Sequence, residues 1–233
     1  MTGDLDDLLA AALLFVGGHF LLSSRVLRQP LAARLGDNGF RGLYSLVAGA
    51  ALLWTIFAYG AAPFVALWQP PLILRWLPLI LMPVALFLVV AGVTTPNPTQ
   101  VGGERVVDAG PEDQTPGIIR VTRHPFLWGV ALWALGHLVV RGDAASVILF
   151  GGMLVLALGG MWHIDQKREA SLGANWGPIR LTTSVIPFAA LASGRTHMDW
   201  RGIGWWRPLV ALALYAALLH LHAQLFGVSP LPV

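Results

Sequence analysis

The chain has 233 residues, 56% of them hydrophobic and only 12% charged, with a mean hydropathy of +0.67. That composition excludes a soluble globular domain and places the chain among membrane proteins. A net charge of +3 and an isoelectric point of 9.9 call for no nucleic-acid partner, because the basic residues fall in the breaks between apolar runs, where they set topology and meet anionic membrane lipids.

Six apolar runs, roughly 7–24, 41–62, 73–94, 124–140, 144–163 and 207–226, predict one integral membrane domain over residues 1–233, an all-α transmembrane helix bundle with no internal repeat. The first run follows Asp4, Asp6 and Asp7, where a cleaved signal peptide would carry basic residues, so the run is expected to be retained. It holds His19. An imidazole in an apolar span is costly to bury and needs a proton, metal or substrate task, or a polar partner within the bundle. The third run ends at Thr95-Pro96-Asn97-Pro98, since each proline pushes its predecessor out of the helical region. The loop that follows is acidic at its centre, with Glu104, Asp108, Glu112 and Asp113. It reads either as a solvated loop or as a lid over a cytoplasmic mouth.

Gly117-Ile-Ile-Arg-Val-Thr-Arg-His-Pro125 opens the fourth run. Thr122 is placed to cap the new helix, and Pro125 suits its first turn, where a missing donor costs nothing. Arg120 and Arg123 then stand at the membrane surface, where guanidinium groups and a helix N-terminus together hold anions such as a carboxylate, phosphate or propionate. The fourth run is the shortest and carries His137. The fifth leads into Trp162, Asp165, Lys167, Arg168, Gly173, Trp176 and Gly177. If its helix continues past the membrane, Asp165 and Arg168 form an i, i+3 surface pair. Thr182–Phe188 reads as an extended interfacial re-entry, and Trp200, Trp205 and Trp206 as an aromatic belt before the last run. His220 and His222, two apart, cannot share a helix face and read as interfacial, while His197 lies in a polar loop.

With the N-terminus outside, the cytoplasmic segments carry Arg25, Arg28, Arg34, Arg41, Arg105, Arg120, Arg123, Lys167, Arg168, Arg180, Arg195, Arg201 and Arg207. Only Arg75 and Arg141 remain outside. This positive-inside bias predicts that both termini face out. The absence of cysteine excludes a disulfide framework, thiolate metal sites and covalent c-type haem, so a bound haem would be of the non-covalent b type.

The segments Gly117–Pro125, Gly129, Trp133, Gly136-His137, Trp162…Asp165…Arg168 and Thr183-Ser184-Val185-Ile186-Pro187-Phe188-Ala189-Ala190 together resemble the NnrU family, which includes the zeta-carotene isomerases of plants and cyanobacteria. Gly18-His19-Phe20-Leu21-Leu22-Ser23-Ser24-Arg25 resembles that family's first histidine motif. The resemblance covers roughly residues 10–195. It implies a multi-pass protein of the bacterial inner membrane that binds haem b and acts on a lipid-soluble substrate, by redox-dependent cis–trans isomerisation or related redox chemistry. By position, the two axial ligands of the isomerases fall on His19 and His137, and the histidine of the Arg-His-Pro motif on His124. Members in denitrifying bacteria are linked instead to nitrite and nitric oxide metabolism. The chain departs from the plant isomerases at Leu156-Ala157, where they have two histidines, at His163-Ile164, where they have Asn-Gly, and at Phe20-Leu21, where they have Ser-Gly.

The spans allow a ligand pair to be checked. His19 lies roughly 18 Å below the outer edge and His137 roughly 6 Å, at 1.5 Å per residue. Helical side chains lean toward their own N-terminus, so on helices of opposite direction these two lean toward each other. Gly136 would admit a flat macrocycle near the backbone, and Trp133, one turn before His137, would pack on its edge. The expected roles are iron ligation by His19 and His137, propionate anchoring by Arg120 and Arg123, and catalysis by His124 with Arg123. At the cytoplasmic face these cations and His124 are expected to converge with Asp165, Lys167 and Arg168. Two other classes stand beside this one: a membrane methyltransferase of the isoprenylcysteine or phospholipid type, whose Arg-His-Pro motif helps hold S-adenosylmethionine, and a non-catalytic assembly factor for a respiratory enzyme.

Overall fold

Asp4 caps the start of the first helix. In the computed structural model, which describes residues 3–100, 103–107 and 115–231, its carboxylate accepts a hydrogen bond from the Asp7 amide at 2.6 Å, and Asp6 and Asp7 fill the first turn. A side-chain acceptor and negative charge at this end satisfy the orphan N–H groups and the helix dipole. Asp108, Glu112 and Asp113, on which the lid reading of the acidic loop depends, lie outside the described residues.

The helices, in chain order, are α1 (Leu5–Ser23), α2 (Arg25–Ala61), α3 (Leu77–Thr94, entered by a 3-10 turn at Leu72–Trp76), α4 (Glu104–Val107), α5 (Pro125–Arg141), α6 (Ala144–Leu172), α7 (Trp176–Thr182), α8 (Ala189–Ala192), α9 (Trp200–Ile203) and α10 (Trp206–Phe226). Five stretches are long and apolar enough to cross a bilayer: 5–23, 25–61, 72–94, 144–182 and 206–226. Pro125–Arg141 is a shorter apolar helix. The protein is therefore an all-α, multi-pass membrane protein with about six spans. Exposed large side chains on the spans, such as Leu13, Phe57, Ile80, Val155 and Leu209, suit a lipid surround.

Two elements run beyond the sequence expectation. The second span is preceded by a helical arm from Arg25, joined to it at Gly36, whose φ of 71° and ψ of 164° break the helix. Only glycine takes that backbone readily, so a kink is built in at this point. The helix of the fifth run, α6, continues past the expected end of that run, to Leu172, and carries Asp165 and Arg168 on a helical scaffold.

Packing sorts the chain into two compact units, and α5 and α6 contribute residues to both. The first gathers the residues up to Leu74 with His137–Leu156. Its core is Leu8, Ala11, Ala58 and Ala145, with Tyr59 and Ile148 against it. Asp143 is buried at the start of α6, accepting from the Ser146 amide at 3.0 Å and its hydroxyl at 2.7 Å, and Tyr59 meets that hydroxyl at 3.0 Å.

The second unit gathers Arg75–Gly136 with the residues from Ala157 onward. Leu88, Ala91, Ile118, Ile119 and Val121 form its core, with Trp128 and Leu132 packed on it. Here α3 and α5 touch at backbone distance. A β-carbon at Gly92 would lie 2.6 Å from the Phe126 amide nitrogen, and one at Gly129 would lie 2.7 Å from the Ala85 carbonyl oxygen. Small residues at such crossings let apolar helices gain close van der Waals contact in lipid. Gly136 belongs to the same contact: its open side meets Met82 and Leu81, so the flat face expected there for a macrocycle is taken by α3. Arg207, at the head of α10, donates to the Thr94 hydroxyl at 2.7 Å and carbonyl at 3.0 Å, capping the end of α3.

Candidate functional site

Pro125 begins α5, and the residues just before it cannot use helical hydrogen bonds. Other segments of the second unit supply them. The Arg123 amide donates to the Ser184 carbonyl at 3.0 Å, the Thr122 hydroxyl and the Trp128 indole both donate to the Val185 carbonyl at 2.8 Å, and the Phe188 amide donates to the Val121 carbonyl at 2.8 Å. From the other side, the Asn97 amide group at 3.2 Å and the Thr99 hydroxyl at 3.0 Å donate to the Arg123 carbonyl. The Thr-Pro-Asn-Pro segment thus does more than end α3. The expected extended segment after α7 is a clamp on the Arg-His-Pro motif, and Phe188 takes a φ of 65° within it.

This clamp fixes two side chains. Arg123 Nε donates to Asp165 Oδ2 at 2.9 Å, and His124 Nε2 lies 2.8 Å from Asp165 Oδ1. The side chains of Arg123, His124 and Asp165 are 8%, 1% and 19% exposed. Arg123 also donates to the Thr183 hydroxyl at 3.1 Å and lies over the Trp176 ring at 5.7 Å. Burial pushes its guanidinium below the usual arginine range; Asp165 opposes that shift, and Arg180 and Arg195 add to it. A charge-assisted pair with a shared carboxylate is the arrangement that makes such burial tolerable.

The structure thus brings Arg123, His124 and Asp165 together, and turns Arg120 elsewhere. Arg120 donates to the Thr115 carbonyl at 3.0 Å and meets His197 Nε2 at 3.0 Å. Beside it Asp199 accepts from the Gly117 amide at 2.7 Å and the Gly202 amide at 2.9 Å. Those amides, with Arg120 and His197 adding a lesser effect, hold the Asp199 carboxyl below the usual carboxylate range although partial burial opposes them. Arg168 is drawn to the Gln100 carbonyl. Thr122 accepts from the His124 amide at 3.4 Å, a weak bond one residue short of the helix proper.

His19 and His137 both fall in the first unit. His19 Nδ1 meets the Phe15 carbonyl at 2.6 Å, and its ring is edge-on to Phe15 at 4.6 Å and to Tyr44 at 5.5 Å. It lines a small cavity of about 10 Å³ with Leu14, Phe15, Gly18, Tyr44 and Val47. A β-carbon at Gly18 would meet nothing, so glycine leaves the side of α1 open beside the imidazole. His137 stacks on Phe150 at 5.1 Å with the planes 26° apart. Sequence reasoning missed Tyr44, Phe150 and the roles of Asn97, Thr99 and Asp199. Of these only Asp199, three residues before Gly202 in a capping pattern, gave a local signal.

Comparison with known proteins adds a lineage to this geometry. A family model described as NnrU protein matches residues 7–230. Similar curated proteins include the chloroplastic 15-cis-zeta-carotene isomerase of Zea mays, 34% identical over 82 residues, which are 35% of this chain and 22% of the relative. The Arabidopsis thaliana protein of the same name is 37% identical over 79 residues, 34% of this chain and 22% of the relative. The match spans about a fifth of the length of these curated relatives. No solved structure matches.

Proposed function

The chain belongs to the NnrU family, and on that premise we propose that it is a membrane-embedded isomerase acting on a lipid-soluble polyene, with haem b held by His19 and His137. The observation that carries the reading is the state of the His19 ring. Because the Phe15 carbonyl can only accept, Nδ1 carries the proton at 2.6 Å and Nε2 keeps its lone pair. A backbone carbonyl on one ring nitrogen is the usual way of orienting an imidazole whose other nitrogen binds a metal. An imidazole so held is a suitable iron ligand, and the lining beside it is apolar or aromatic. The cavity, at about 10 Å³, is far smaller than the roughly 300–1,000 Å³ of most small-molecule sites, so a macrocycle would require the helices around it to part.

When bound, haem would supply an iron whose coordination changes with its redox state. The chain's own residues supply the rest. Phe15 and Tyr44 confine the His19 ring from two sides, Phe150 lies flat against His137, and lipid-facing spans admit an apolar substrate. In the second unit, Arg123, His124 and Asp165 form a polar cluster, with His124 as the group that would meet a proton or a polar atom. The relatives named 15-cis-zeta-carotene isomerase support a polyene as the substrate class. The S-adenosylmethionine reading is less well served, since the two motif side chains it would use are 8% and 1% exposed and both engage Asp165.

The test is conversion of a 15-cis polyene hydrocarbon by haem-loaded protein in proteoliposomes, followed by chromatography under reducing and oxidising conditions. Redox-dependent conversion that disappears in His19→Ala is expected. Haem-loaded protein that leaves the cis isomer untouched in both states would contradict the isomerase assignment.

A further inference from the structure

His137 and Arg141 stand four apart on α5, and Ser146 and Phe150 four apart on α6, so each pair shares a helix face. The two faces meet. Phe150 lies against the His137 ring at 5.1 Å with the planes 26° apart. Arg141 Nε comes within 3.4 Å of the Ser146 hydroxyl and 3.6 Å of Asp143. Tyr59 of α2 bridges these two contacts. Its hydroxyl lies 3.0 Å from that of Ser146, and its ring meets Phe150 edge-on at 6.2 Å, with the planes 73° apart. All six residues belong to the first unit.

The polar end of this group has one consistent direction. The Ser146 hydroxyl donates its single proton to Asp143 at 2.7 Å, so the Tyr59 hydroxyl is the donor to Ser146. Asp143 also accepts from the Ser146 amide at 3.0 Å, and both residues are buried. Tyr59 is thereby tied, at its far end, to a carboxylate pinned at the start of α6. The terminal torsions of His and Phe are broad, so such a ring keeps one plane only where its neighbours hold it. Near-parallel and edge-on contacts at these separations are the favoured aromatic geometries.

We propose that Tyr59 is a positioning residue for His137 that acts through Phe150. Anchored on Ser146 and Asp143, it backs the Phe150 ring, and Phe150 fixes the plane of the imidazole. Residues beside a metal ligand set its orientation, and ring plane is the part of that orientation a flat neighbour controls. The inference deepens the reading of His137 as an iron ligand and rests on it for its use, but the contacts that carry it exist without haem.

Ring order tests it first, by solid-state NMR of ring-labelled histidine in full-length protein made in a haem-deficient host and held in lipid. His137 is assigned by the signal missing from His137→Gln. On the scale where about 0.85 is rigid and below about 0.6 is flexible, the wild-type ring should be rigid and that of Phe150→Leu flexible. Tyr59→Phe, which removes one oxygen at constant shape, should fall between them, with the His19 ring unchanged in the same samples. A wild-type His137 ring that is already flexible overturns the proposal with no variant needed. So does an unaltered ring in Tyr59→Phe, or an equal loss of order at His19, which would mark general loosening. In haem-loaded protein Tyr59→Phe should keep the haem and shift the low-spin electron paramagnetic resonance g-values, which follow the plane of an axial imidazole. Wild-type g-values beside a loosened ring would overturn it. A wild-type protein that takes up no haem contradicts the proposed function instead, and the ring-order result then decides this inference alone.

Discussion

At Asp165 one carboxylate serves two buried partners, so its removal is judged by what it leaves behind. Asp165→Ala strands the Arg123 guanidinium, leaving it Thr183 and the Trp176 face among the described residues. Breaking a buried pair from one side costs about 3–5 kcal/mol, and Asp165 is partly exposed, so the lower end is expected. Thermal unfolding in detergent should show this loss, with a smaller one for Thr183→Val. Equal losses for the two variants would mean that the ion pair contributes nothing beyond packing. Asp199 makes a prediction about pH. Its folded carboxyl is held below the usual range by the Gly202 and Gly117 amides, so its stabilisation is present above the unfolded carboxylate pKa and fades as pH falls through the lower folded value. Asp199→Asn should destabilise at neutral pH, and its difference from wild type should shrink on acidification; a gap that stays constant down to strong acid would contradict the assignment. Why the sequence named Arg168 as the partner of Asp165 is clear at this scale. Spacing rules see only a residue's own helix, whereas Arg123 and His124 arrive from 42 and 41 positions away.

Among the elements, close contact between α3 and α5 depends on glycine at two points. A methyl at Gly129 would press on the Ala85 carbonyl and Val89, so Gly129→Ala should cost about 1–3 kcal/mol by overpacking. The same change at Gly152, whose new methyl would meet only Val16 at 3.4 Å, should be nearly neutral. Similar melting temperatures for the two variants would show that α3 can yield. All six apolar runs became helices, because long uninterrupted hydrophobic stretches leave the backbone no other way to satisfy itself in lipid. What periodicity could not reveal was irregular backbone. The break at Gly36 needs a φ of 71°, which a single glycine permits but does not announce. The clamp over Arg123 likewise rests on bonds with Asn97, Thr99, Ser184 and Val185, residues whose local pattern shows a chain break or an extended segment but not what it meets.

For the whole molecule, charge predicts the orientation. Thirteen of the fifteen basic residues fall on one side if the chain starts outside, so Ser229→Cys should label from outside intact cells and Ser171→Cys should not. Labelling of Ser171→Cys alone would invert the topology. The central claim concerns the two span histidines in the first unit, and an imidazole's cost in lipid, the family resemblance and the His19 bond to the Phe15 carbonyl support it. The most direct test is the absorption spectrum of the detergent-purified protein, reduced and oxidised, beside those of His19→Ala, His137→Ala and His124→Ala. The account calls for a low-spin b-type spectrum in the wild type that is lost or turned high-spin by either of the first two changes, and kept by the third. A wild-type spectrum unaltered by His137→Ala but abolished by His124→Ala would contradict it, and would put the iron beside Asp165 instead.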